Sequence, residues 1–277
     1  MRLIVVGCAG SVAGPEGPAS CYVLEAQDDE RTWRIALDVG SGSFGPLRAV
    51  MDPADLDGVF ISHGHADHCA DLTALSVWLR YGPPAEKAHA PMPLWGPAGI
   101  DRRLRELDGD IAQGDDAGDD AGDGSGEVSS GDSSSGPFAW SALAPGDTVR
   151  VGPFAVTAFA AWHPVPALAY RITGPSAAGG EAVLTFTGDT DLSDYVVEAA
   201  RGADLVLAEA GWAHREVNPR GVHMTGAQAG ELARRARAER LVVTHVASWV
   251  DPAETLIQAR AAHPQAVLAA PGVVFTV

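Results

Sequence analysis

Three cysteines in 277 residues, Cys8, Cys21 and Cys69, are too few and too scattered for a disulfide framework, and no Cys-x-x-Cys pair offers a thiolate metal site. Such scarcity suits a reducing cytoplasm. Basic residues are also short, 19 Lys and Arg against 36 Asp and Glu, and the net charge of −17 argues against the broad phosphate-tracking surface of a nucleic-acid binder. A small anionic ligand held by metal ions remains compatible with it. Long apolar runs are missing too. The stretch Leu3 to Val6 stops at Gly7, too short for a signal peptide, and no segment approaches the length of a membrane span. The glycine-rich stretch from Gly7 to Gly17 lacks both the Gly-Lys-Ser/Thr ending and the following helix of a phosphate-binding loop, so it reads as a turn between antiparallel strands. Together these absences predict a soluble cytoplasmic protein without membrane or nucleic-acid partners. A homodimer is compatible with them.

What is present is a chain that is 46% hydrophobic, long enough for a large core. Strands are expected at Arg2 to Val6, Cys21 to Glu25, Trp33 to Val39, Phe154 to Ala161, Ala167 to Thr173, Ala182 to Thr187, Asp204 to Ala208 and Leu241 to Thr244. Helical patterns cover Pro97 to Leu107, a segment opened by the capping-box signature Thr225-Gly226-Ala227-Gln228, and Pro252 to Ala262. The two halves share a rhythm of strands followed by helix, which suits a four-layer αββα sandwich of the α/β class and a single domain over residues 1–277. Composition changes abruptly once. Residues 108–136 carry nine acidic residues, no basic ones and almost nothing apolar, and read as a disordered surface insertion. Taking those nine charges from the total of −17 leaves −8 on the remainder.

The chemistry concentrates in Val59-Phe60-Ile61-Ser62-His63-Gly64-His65-Ala66-Asp67-His68. An apolar strand runs into three His and one Asp, and a helical pattern (Leu72, Leu75, Leu79) follows. In extended chain, residues two apart face one side, so His63 and His65 can share one ion. The turn into the helix lets Asp67 and His68 face a second. Imidazole and carboxylate are the ligand types for zinc, manganese or iron. Solvated turn histidines are a poor account of four such residues in six positions. His163, Asp189 and His245 repeat the form of an apolar strand that stops at a metal-type residue. Singly, His163 reads equally as a turn histidine and Asp189 as a turn or helix cap.

The order His63-x-His65-x-Asp67-His68, His163, Thr187-Gly188-Asp189-Thr190, Thr244-His245 resembles the dinuclear metallo-β-lactamase-fold phosphodiesterases, above all the ribonuclease Z branch and its cyclic-nucleotide-degrading relatives. The resemblance implies two divalent ions, zinc first with manganese or iron as alternatives. One would take His63, His65 and His163, the other Asp67, His68 and His245, and Asp189 would bridge them. It also implies catalytic roles for Asp67 at the metals, for His223 at the scissile phosphate and for Glu209, which orients that histidine. Read without it, His223 before a helix N-terminus is equally a surface residue.

Within that family, β-lactamases usually carry a different ligand at the position of Asp189, and thioesterases of the glyoxalase type add a basic C-terminal region that is missing here. Transfer-RNA 3′ endonucleases commonly insert a basic arm between the third-motif His and the bridging Asp. Here residues 164–188 hold only Arg171 as a base. The expectation is therefore a phosphodiesterase for 3′,5′-cyclic nucleotides, cAMP to 5′-AMP, with Trp162 and Trp249 placed to stack on a base. A tRNA 3′ endonuclease is the alternative reading, and a non-catalytic metal-bearing carrier or sensor the third.

Overall fold

The computed structural model describes residues 1–28, 30–83, 90–108, 136–213 and 218–277. The first half of the chain runs β1 (Arg2–Gly7), β2 (Ala9–Gly10), β3 (Cys21–Gln27), β4 (Thr32–Val39), α1 (Phe44–Val50), β5 (Gly58–Phe60), α2 (Ala66–Cys69), α3 (Leu72–Tyr81), β6 (Met92–Gly96), α4 (Ile100–Asp108) and β7 (Phe138–Ala142). The second half runs β8 (Thr148–Val151), β9 (Phe154–Ala160), β10 (Leu168–Pro175), β11 (Glu181–Phe186), α5 (Asp194–Ala200), β12 (Leu205–Glu209), α6 (Gly226–Ala236), β13 (Arg240–Thr244), β14 (Val246–Ala247), α7 (Pro252–Ala262), β15 (Val267–Leu268) and β16 (Val274–Thr276).

Two seven-stranded sheets result, in the orders β16-β1-β3-β4-β5-β6-β7 and β15-β13-β12-β11-β10-β9-β8. Strands β3 and β12 are buried on both faces, Gln27 excepted, as strands covered on both sides must be. Leu3, Leu24, Ile35 and Phe60 of the first sheet meet Phe154, Ile172, Leu184 and Phe186 of the second in one core. Leu47, Leu72, Leu75 and Ile100 from α1, α3 and α4 pack on the outer face of the first sheet. Val196, Leu232 and Ala259 from α5, α6 and α7 cover the second. The layers are therefore αββα, the mixed α/β sandwich expected from the sequence.

The sheets are locked where the site will form. Phe60 stacks on Trp95 at 4.7 Å and meets Tyr170 edge-on at 5.6 Å, and the Tyr170 hydroxyl donates to the Ile61 carbonyl at 2.7 Å. Leu168 N–H donates to the Ser62 carbonyl at 2.9 Å. Each fully buried aromatic of this kind contributes about 2–3 kcal/mol from its apolar area.

Most expected strand ends shift by one or two residues, and three differences have a cause visible in the fold or bear on the acidic segment. The helix expected from Pro97 begins only at Ile100, because Gly99 sits at φ +98°, outside the helical region, and Pro97 lies in the turn before it. Strand β10, expected to end at Thr173, continues through Gly174 and Pro175 by pairing with Ala182 and Glu181. Asp108 closes α4 rather than opening the acidic segment. The rest of that segment, residues 109–135, lies outside the described residues.

Candidate metal centre

Strand β5 ends beside β4 and delivers Ser62 and His63 to the rim of the sandwich. The chain stays extended to His65, so His63 Nε2 and His65 Nδ1 come within 2.9 Å. His163 leaves the end of β9 from the other sheet and sets Nε2 3.2 Å from His65 Nδ1. Helix α2 starts at Ala66 and rotates Asp67 and His68 into the interior. His245, the residue after β13, completes this second group, its Nε2 3.1 Å from both His68 Nε2 and Asp67 Oδ2. Asp189 stands between the two groups. Its Oδ2 lies 3.7 Å from His63 Nε2, and its Oδ1 lies 3.3 and 3.4 Å from His68 Nε2 and His245 Nε2. All seven ligand candidates from the sequence are thus brought together.

Donor atoms at about 2.0–2.2 Å around a tetrahedral ion stand about 3.3–3.6 Å apart, close to the 2.9–3.4 Å between neighbouring donors in the two groups. Asp189 Oδ1 is buried without a hydrogen-bond partner among the described residues. An orphaned carboxylate oxygen amid imidazole nitrogens is costly unless a cation completes it. The donor set therefore fits two divalent ions.

Local backbone is bent to achieve this. His245 and Asp38 adopt the left-handed region, at φ +54° and +59°, where non-glycine residues pay roughly 1–3 kcal/mol. Gly188 turns the chain into Asp189 at φ +54°, and a Cβ there would fall 2.7 Å from Ser62 Cβ. At Gly40 a Cβ would meet the Asp67 carbonyl oxygen at 1.9 Å, so only glycine lets β4 pass so close behind α2.

Behind the candidate ligands lies a layer of supporting groups. Asp38 accepts from His68 Nδ1 at 2.6 Å, from Ser62 N–H at 2.7 Å and from Ser62 Oγ at 2.9 Å. That bond leaves His68 Nε2 facing the centre. His163 Nδ1 donates to the Val222 carbonyl at 2.8 Å, with the same effect on its ring. Asp191, fully buried, collects Leu192 N–H, Gly221 N–H, Gln228 Nε2 and Arg220 Nε at 2.7, 2.9, 3.0 and 2.5 Å, and so holds the loop that carries Val222 and His223. Asp38 and Asp191 were not singled out from sequence as site residues. Asp38 carried a usable signal, since it ends an apolar strand as Asp189 does. Asp191 carried none beyond its closeness to Asp189. The loop from Gly7 to Gly17, read as a plain turn, also reaches the centre: β2 pairs with β14, and Ser11 N–H points at His245 Nε2 at 3.3 Å.

Glu209 and His223 sit together beside the two groups. Glu209 Oε1 accepts from His223 Nδ1 at 3.2 Å and from Thr190 N–H and Met224 N–H, each at 3.1 Å, while Oε2 accepts from Gly211 N–H at 2.7 Å. His223 Nδ1 is also 3.6 Å from Asp189 Oδ2. With Nδ1 engaged, Nε2 is the nitrogen left for a ligand.

The electrostatics follow from this packing. Burial, with His68 as a neighbour, holds His63 well below the ordinary histidine range, and burial brings His163 down to about 4, so both rings are neutral as metal ligands require. Burial would raise Asp67 and Asp189, yet the adjoining His245 and His68 keep both carboxyls below their usual range. Burial also opposes charge on His223, but Glu209 outweighs it and lifts the ring to about 9.

A model of the beta-lactamase superfamily domain matches residues 34–246. The uncharacterized protein Rv1339 of Mycobacterium tuberculosis is 35% identical over 267 residues, which cover 94% of this chain and 86% of that protein. The ribonuclease Z of Methanopyrus kandleri is 26% identical over 280 residues, covering 88% of each. Among solved structures, the metallo-beta-lactamase fold protein YhfI of Bacillus subtilis superposes with a TM-score of 0.77 at 23% identity, covering 100% of this chain and 99% of its own. A diphosphatase of the PhnP family superposes at 0.70 with 17% identity, covering 100% and 97%. A family match spanning most of the chain, set on an αββα sandwich whose strand ends gather His and Asp into two adjoining groups, makes this chain a member of the beta-lactamase superfamily and a metal-dependent hydrolase.

Proposed function

We propose that the chain is a phosphodiesterase that hydrolyses 3′,5′-cyclic nucleotides, converting cAMP to 5′-AMP. The observation that carries this reading is the Glu209–His223 pair beside two adjoining ligand groups, combined with a short, unbasic connection from His163 to Asp189. When bound, divalent cations at His63, His65 and His163 and at Asp67, His68 and His245, with Asp189 shared, supply Lewis acidity that polarises the phosphate and acidifies a water. In the reaction, water oxygen adds to phosphorus, the bond from phosphorus to O3′ breaks, and the departing O3′ takes a proton. His223 Nε2 is the donor placed for that proton, because Glu209 occupies Nδ1 and fixes the ring. Asp67 and Asp189 hold the centre's negative charge below that of the cations, so an anionic phosphate is still attracted.

The substrate class follows from what surrounds the centre. Between His163 and Asp189 the chain forms only the β10–β11 hairpin. Its single base, Arg171, donates to the carbonyls of Ala199 and Arg201 at 2.9 and 2.8 Å and is turned away from any substrate. Nothing there would track an RNA backbone. Trp162, the residue before His163, is exposed and suits a base, and Trp249 is exposed as well. A second reading, 3′ processing of precursor tRNA, draws on the similarity to ribonuclease Z.

Turnover of cAMP, cGMP and a precursor tRNA by the zinc-loaded protein separates the two. Release of 5′-AMP from cAMP with negligible tRNA cleavage supports the first; specific tRNA 3′ cleavage without cyclic-nucleotide turnover overturns it.

A further inference from the structure

A groove of about 660 Å³ is lined by Trp162, Leu192, Ser193, Asp194, Tyr195 and Arg235. Sites for small ligands are roughly 300–1,000 Å³, so the size suits part of a nucleotide. Its near wall, Trp162, is the residue before His163, and Leu192 to Tyr195 lie three to six residues beyond Asp189. Apart from Arg235 of α6, the groove is thus lined by the segments that carry His163 and Asp189. Trp162 lies against Gly221, two residues before His223, so its ring spans from the loop of the proton donor to the groove.

The side chains present there match a planar heterocycle. Trp162 is 44% exposed and Tyr195 66% exposed, two large aromatic side chains that share the groove lining with Leu192. Trp162 is held in place from behind: the Arg220 guanidinium lies 5.0 Å from its ring centroid, and Arg220 Nε is anchored on buried Asp191 at 2.5 Å. At the rim, Arg235 Nη2 meets Asp194 Oδ1 at 2.5 Å. Both members of that pair remain accessible, Asp194 at 92% and Arg235 at 36%, so each keeps free hydrogen-bonding positions. An exposed pair of this kind adds little to stability. It does present a donor fork beside a carboxylate, and a nucleobase edge carries donors and acceptors side by side.

We propose that this groove is the nucleobase subsite: the base lies between Trp162 and Tyr195, and its polar edge is read by Asp194 and Arg235. The proposal rests on the phosphodiesterase reading and extends it from the phosphate to the base. Stacking on one aromatic face is a sequence-tolerant contact, so Tyr195 should govern affinity and the Asp194–Arg235 pair the choice between bases.

Two measurements test it on the zinc-loaded full chain. Steady-state kinetics with cAMP should show KM raised about tenfold in Tyr195→Ala, with the change falling on KM rather than kcat, and restored in Tyr195→Phe. Arg235→Gln should change the ratio of kcat/KM for cAMP to that for cGMP. Saturation-transfer NMR with adenosine, which has no phosphate for the metals, should give a signal in the wild type that fades in Tyr195→Ala. KM within twofold of wild type in Tyr195→Ala, or an unchanged cAMP-to-cGMP ratio in Arg235→Gln, would overturn the subsite while leaving the phosphodiesterase reading intact. If the wild type turns over no cyclic nucleotide, that reading fails and adenosine decides the subsite alone: a Tyr195-dependent signal sustains it, and no signal, or one indifferent to Tyr195, ends it.

Discussion

Asp189 is the residue on which the two ligand groups depend, since its two oxygens face different groups and one of them has no protein partner among the described residues. Asp189→Ala should therefore lower bound metal from about two ions per chain and abolish most turnover, as elemental analysis with a parallel assay would show; a variant with full metal and normal rate would remove Asp189 from the site. His223 makes the opposite prediction. Its ring is oriented by Glu209, so His223→Ala should keep its metals and lose about 10² or more in kcat, the usual cost of a positioned acid. Asp38 acts one step further back. Asp38→Ala frees His68 Nδ1 and strands two Ser62 donors, and metal affinity measured by competition with a chelator should fall about 10- to 100-fold.

At the level of elements, helix α6 shows how local sequence can be decisive. Thr225 Oγ accepts from Gln228 N–H and the Gln228 side chain returns to Thr225 N–H, the full capping box expected from Thr225-Gly226-Ala227-Gln228. Thr225→Ala should destabilise the fold by about 1 kcal/mol in denaturant unfolding, and an unchanged midpoint would show that packing against α7 carries the helix instead. Helix α7 was equally legible, because Asp251 caps it and Pro252 opens it. Strands β6, β7 and β8 and helices α1 and α5 were not. Edge strands β7 and β8 bury one residue each, so they print little periodicity, and α1 contains Gly45 and Pro46 with Leu47 as its sole buried residue. The helix placed at Pro97 shows the complementary failure: proline suits a helix start, but the positive φ of Gly99 is visible only in the folded chain.

For the molecule as a whole, the charge of −17 is unevenly placed along the chain, with a run of acidic residues between α4 and β7. Replacing residues 109–135 by a short Gly-Ser linker should leave turnover and soluble yield near wild type, because loop closure depends only slowly on length and the segment has almost no apolar content to place in a core. Loss of soluble protein would assign it a structural part. The sequence alone determined the ligand types and their places at strand ends, the strand-to-helix turn of His63 to His68 and the αββα rhythm, because alternation, capping and ligand spacing are written over a few neighbouring residues. Which distant ligand joins each group was implied at the sequence level only by resemblance, and the tertiary structure decided it, since His65 and His163 are 98 residues apart and His68 and His245 are 177 apart. It likewise decided that Asp38, Asp191 and the loop at Ser11 stand behind them. Those partners meet through the packing of two sheets, and no local pattern records which strand ends a sandwich will bring face to face.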